Sequence, residues 1–121
     1  MCRKRELHGL RVLLVEPEQQ LADILKRGLE ELGAKVGVVH THDDGMAHLA
    51  ESLWDVCVIG HSLPAIHATC FLEEGHALQP IPYIITSPGD ISLMTAIPIA
   101  GLLMKPFELS KLTAALKEAS K

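Results

Sequence analysis

The feature that most constrains this chain is a fivefold alternation of a short apolar run with a stretch of helical periodicity. The runs are Arg11-Val12-Leu13-Leu14-Val15, the β-branched Lys35 to Val39, Asp55-Val56-Cys57-Val58-Ile59-Gly60, Pro82-Tyr83-Ile84-Ile85-Thr86-Ser87 and Gly101-Leu102-Leu103-Met104. Most are apolar without alternation, the pattern of strands buried on both faces. Between them, Leu21, Ile24, Leu25, Leu29 and Leu32 recur at helical spacing, with Gly33 placed as a C-cap glycine. Asp44 is the expected N-cap of a second helix whose inner face is Met46, Ala47, Ala50 and Leu53. A weaker third helix is expected from about Ile66 to His76. Ile91 to Ile97 has room for only about two helical turns before Pro98, so the fourth helix is expected to be short. Leu109, Leu112, Leu116 and Ala119 form the stripe of a terminal helix. Such alternation requires right-handed crossovers, and so predicts an α/β fold: a five-stranded parallel sheet with helices on both faces.

Composition fits this class. The apolar residues, 48% of 121, are almost all aliphatic, with one Trp, one Tyr and two Phe. That suits aliphatic strands under helices better than an aromatic-rich sandwich. A net charge of −4, with Arg3-Lys4-Arg5 as its one basic cluster, offers no field for nucleic acid. Cys2, Cys57 and Cys70 form neither a CxxC pair nor an even disulfide set, which points to a reducing, cytoplasmic setting. No apolar run approaches the roughly 18 residues of a membrane span, so no direct membrane contact is expected.

In parallel sheets ligands bind beyond the carboxyl ends of the strands. The residues there are Glu16-Pro17-Glu18, Gly60-His61, Thr86-Ser87 and Lys105-Pro106. At these ends, from Leu10 onward, the sequence resembles the receiver domain of two-component response regulators. The resemblance rests on Val12-Leu13-Leu14-Val15-Glu16, Trp54-Asp55, Leu63-Pro64, Ser87 and Lys105-Pro106-Phe107, in that order and at matching spacing. It implies the flavodoxin-like (βα)5 receiver fold over residues 10–121, after an N-terminal linker of residues 1–9.

In receivers an aspartate ending strand three accepts a phosphoryl group, two acidic residues after strand one help hold Mg²⁺, and a lysine neutralises the phosphoryl oxygens. Matched residue by residue, the acceptor position falls on Gly60, the acidic pair on Glu16 and Pro17, the hydroxyl on Ser87 and the lysine on Lys105. The switch position, usually aromatic, is Leu102, and the chain between Ser87 and Lys105 is shorter than in most receivers by about one helical turn. Asp55 cannot substitute for Gly60, because it lies roughly 16 Å away at the other end of the strand, at about 3.3 Å per residue. The resemblance therefore implies a degenerate, or pseudo-, receiver. It would be a non-enzymatic interaction module without catalytic residues or cofactor, with Mg²⁺ binding weak or absent.

Glu16 and Lys105 are expected to form an ion pair in the emptied pocket. The resemblance places Met94, Ile97, Ile99, Leu102 and Pro106 on the face used for partners. Expected partners are a histidine kinase or another receiver or output domain. The opening Glu6-Leu7-His8-Gly9-Leu10 resembles the link between a hybrid kinase's ATP-binding domain and its receiver. Two alternatives are a working receiver that uses His61 as acceptor, and a small-anion or metal sensor beside Lys105. His40, His42 and His48 invite a metal reading, but histidines in such a loop lack supporting ligands. Cys57 and Cys70 are expected in the core. No oligomeric state follows from the sequence.

Overall fold

The computed structural model describes residues 6–60, 65–87, 99–105 and 107–120, the first five of α3 by backbone alone. The strands are β1 (Arg11–Val15), β2 (Lys35–Val39), β3 (Val56–Gly60), β4 (Tyr83–Ser87) and β5 (Gly101–Met104). The helices are α1 (Gln19–Glu31), α2 (His42–Glu51), α3 (Ala65–Leu78) and α4 (Leu109–Ala119). All strand pairs are parallel, in the order β2-β1-β3-β4-β5. The expected short helix at 91–97 lies outside the described residues.

Alternate residues of the central strands serve two cores, as the period of two requires. Val12, Leu14, Val58 and Ile84 pack against Ala22, Leu25 and Leu29 of α1 and Leu112 and Leu116 of α4. Leu13, Val15, Cys57, Ile59, Tyr83 and Ile85 pack against Leu49 of α2 and Phe71 and Leu72 of α3. Every residue of β3 and β4 is buried, which explains their unbroken apolar character.

Several expected details differ. Gly33 does end α1 with a left-handed φ of 99°, but Ile24 points to solvent and Ala22 takes an inner position instead. The N-cap of α2 is Thr41, whose hydroxyl accepts from the Asp44 N–H at 3.1 Å, so Asp44 sits inside the first turn. The inner face of α2 is Gly45, Leu49 and partly buried Met46. Ala47 and Ala50 are exposed, and Leu53 lies beyond the helix in solvent. With so few large side chains the stripe is weakly marked, and close approach to Phe71 decides it. A Cβ at position 45 would come within 2.9 Å of that ring. Cys57 is buried, but Cys70 is exposed because Phe71 and Leu72 take the inner face of α3. The segment expected as a linker seats Leu7 in the core, its N–H donating to the Leu32 carbonyl at 2.9 Å.

A buried amide closes the amino end of the sheet. Gln79 accepts from the Trp54 N–H at 2.5 Å and donates to the carbonyls of Leu49 at 3.0 Å and Ser52 at 2.8 Å. Its own carbonyl accepts from the Tyr83 hydroxyl at 2.8 Å. Trp54 lies over Gly37, where an added Cβ would fall 2.5 Å from the indole.

Replacing Gln79 by Ala leaves one donor and two acceptors unpaired, and urea denaturation should show a loss of about 2–4 kcal/mol. Burial pushes both the Cys57 thiol and the Tyr83 hydroxyl above their ordinary ranges, with the nearby thiol adding to the Tyr83 shift. Both stay protonated in the fold and ionise in the unfolded chain. Stability should therefore be complete below pH 9 and fall as pH rises through the ordinary values of 9.0 and 10.0, as measured by urea midpoints across that range.

Candidate functional site

The carboxyl ends of the strands bring a row of residues onto the face covered by α1 and α4. The pairing Val15↔Ile59 places Glu16 beside Gly60, and Gly60 is registered with Thr86, which is registered with Leu103. Lys105 follows two residues beyond Leu103. Three inter-strand steps of roughly 4.8 Å separate β1 from β5, about 14 Å in all. Two long side chains span that gap. The Lys105 ammonium lies 3.3 Å from Glu16 Oε1 and 3.4 Å from Oε2, the expected ion pair.

Glu16 is only 1% exposed. A buried carboxylate costs several kcal/mol unless its oxygens are paired. Here Oε2 also accepts from the Glu18 N–H at 3.1 Å. The Glu16 backbone is held as well, its N–H donating to the Val39 carbonyl at 3.0 Å and its carbonyl accepting from His40 Nδ1 at 3.0 Å. That bond fixes the His40 tautomer, since a carbonyl can only accept.

Gly60 makes this arrangement possible. A Cβ there would lie 2.7 Å from Glu16 Cδ and closer still to Oε1, well inside van der Waals contact. The carboxylate fills the volume that a side chain at position 60 would need. Beside it, the buried Thr86 hydroxyl has no hydrogen-bond partner among the described residues. Ser87 is buried at the end of β4, and its carbonyl accepts from the Lys105 N–H at 2.6 Å.

The other site residues are scattered. Pro17 is exposed and contributes no side-chain oxygen. Leu102 is exposed on β5 together with Met104, whereas Ile99 is partly buried against the α2–α3 core. His61, Met94, Ile97 and Pro106 lie outside the described residues. Asp55 sits at the opposite end of β3, its carboxylate accepting from the Arg11 N–H at 2.8 Å. His42 packs tilted against Phe71, with ring centroids 5.0 Å apart, and His48 Nδ1 donates to the Asp44 carbonyl at 2.9 Å. Among the described residues, no three His, Cys, Asp or Glu side chains are grouped to hold a metal. The strand-end donors do not suit Mg²⁺ either. That ion wants several oxygens in an octahedron, and among the described residues the row Glu16, Gly60, Thr86 and Lys105 holds one carboxylate, already engaged by an ammonium.

No family model matches the chain. It is 31% identical over 115 residues to the transcriptional regulatory protein CutR of Streptomyces coelicolor, covering 89% of this chain and 52% of that protein. The chain thus spans about half the length of the curated relatives it matches. Among solved structures, a CheY-like response regulator receiver domain from Methanospirillum hungatei superposes with a TM-score of 0.81 at 26% identity, covering 91% of this chain and 92% of that one. A CheY-like receiver domain from Methylobacillus flagellatus gives 0.79 at 22% identity, covering 92% and 98%, a likeness of fold. The comparisons give the chain the CheY-like receiver fold and a sequence similarity to response regulators. No described helix is long and apolar enough to cross a membrane.

Two contributors escaped the sequence reading. The His40 contact to Glu16 leaves no periodic signal. The seating of the Glu16 carboxylate over Gly60 had one clue, a long acid and a glycine at adjacent strand ends. Lys105→Met should cost about 3 kcal/mol, the lower end for a broken buried pair because Lys105 is partly exposed. Thr86→Val should instead stabilise by about 1 kcal/mol, since it removes a buried hydroxyl that has no partner among the described residues, at nearly constant volume. Urea denaturation of the two variants beside the parent checks both signs.

Proposed function

We propose that this domain is a pseudo-receiver, a phosphorylation-independent module that regulates or recruits another signalling protein through a surface of fixed shape. The observation that carries this reading is the glycine ending β3, where a phosphoacceptor would need a carboxylate, beside a lysine already neutralised by Glu16. Phosphoryl transfer needs an oxygen nucleophile, a metal and an available positive charge, and the row supplies none of the three freely. In this reading the domain has no catalytic residue and no cofactor, binds Mg²⁺ weakly or not at all, and works in the cytoplasm. Its partner is a histidine kinase, whether a separate protein or the rest of a hybrid kinase, or another receiver or output domain. Exposed Leu102, with Met94, Ile97, Ile99 and Pro106 around it in sequence, is the proposed contact face. The small-anion alternative is disfavoured because Glu16 already occupies the space beside Lys105.

The deciding experiment is incubation with acetyl phosphate and Mg²⁺ followed by intact mass measurement. The expected result is no added phosphoryl mass. A phosphoryl adduct that disappears in His61→Ala would replace this reading with that of a working receiver using an unusual acceptor.

A further inference from the structure

We infer that Glu16 is a built-in plug of the acceptor pocket: its carboxylate occupies the volume of the missing residue-60 side chain and clamps Lys105, tying β1 to β5 across two intervening strands. The inference deepens the reading above, on which its biological meaning rests, by naming what closes the site and holds its shape. Three observations converge. The Glu16 carboxylate lies against the place a residue-60 Cβ would take, its Cδ 2.7 Å away, so the space is closed from within the fold. Both of its oxygens face the Lys105 ammonium, the positive charge that an incoming oxyanion would need. The strand it reaches is not its neighbour, since β3 and β4 lie between, and Lys105 is in turn joined to β4 through its N–H on the Ser87 carbonyl.

Position 60 and position 16 are then coupled, long acid with absent side chain: a side chain at 60 needs a smaller residue at 16. A glycine within a strand is ordinarily improved by alanine, because the unfolded chain loses more freedom with glycine. Here the sign reverses while Glu16 is present. The charge and the bulk of Glu16 also do separate jobs. Bulk excludes a side chain at 60, and charge holds the end of β5.

The test is a double-mutant cycle on the full chain, Gly60→Ala against Glu16→Ala, read by urea denaturation. With Glu16 in place, Gly60→Ala should lower the folding equilibrium constant by roughly tenfold or more, and in the Glu16→Ala background it should be neutral or favourable. If Gly60→Ala alone does not fold, recovery of folding in the double variant supports the plug, and a double variant that also fails to fold overturns it. Equal costs in both backgrounds overturn it too. Glu16→Gln keeps the bulk and removes the charge. It should leave the penalty at 60 in place, yet speed amide hydrogen exchange at residues 103–105 relative to β1 and β3. Unchanged exchange there would overturn the tether. These results are separable from the phosphorylation test: an adduct on the parent protein defeats the pseudo-receiver reading, whereas an additive cycle defeats the plug and leaves that reading standing.

Discussion

Burial of the central strands on both faces is the constraint from which the rest of this structure follows. β3 and β4 expose no residue, and four of the five residues of β1 are buried. A parallel sheet of that kind is stable only between helices, and each crossover must return over one face or the other. The helices therefore cover the length of the strands and leave the strand ends as the place where polar side chains converge. Glu16, Thr86, Ser87 and Lys105 gather there because the strands end there, whatever use is made of them.

At those ends the electrostatics turn on one carboxylate. Glu16 is as buried as the leucines beneath it, which is tolerable only because an ammonium and a backbone N–H meet its oxygens. Lys105 keeps partial access to water, so its share of the desolvation cost is smaller. The pair reaches across β3 and β4 only because position 60 has no side chain. The glycine and the long acid are sterically complementary, since the Glu16 carboxylate takes the space that a β3 side chain at position 60 would need. Thr86, buried beside them, has a hydroxyl with no partner among the described residues and marks the least satisfied point of the row.

Strand identities and order of elements were legible because unbroken apolar runs and helical spacing are strong local signals. All five strands fall where the runs lie. The orientation of α2 was not legible, since a helix whose one large aliphatic residue is Leu49 carries little periodic contrast and its face is chosen by contact with Phe71. Cys70 misled for a similar reason. On a largely apolar helix the inner side is set by what it packs against, here through Phe71 and Leu72. The Gln79 clamp joins α3 to the loop before β3, a long-range set of hydrogen bonds that leaves no trace in local sequence.

By itself the sequence determined the class of fold, the residues at the strand ends and the lack of a carboxylate at position 60. These follow from hydrophobic periodicity and side-chain chemistry, which are properties of the chain read in order. Only the tertiary structure decided what fills the empty position. Glu16 and Gly60 are 44 residues apart, and Lys105 lies 89 residues beyond Glu16. Whether the acid leans over the glycine to meet the lysine depends on strand register and on the bonds from Val39 and His40 that hold the end of β1. Registers and distances of that kind exist only once the sheet has formed.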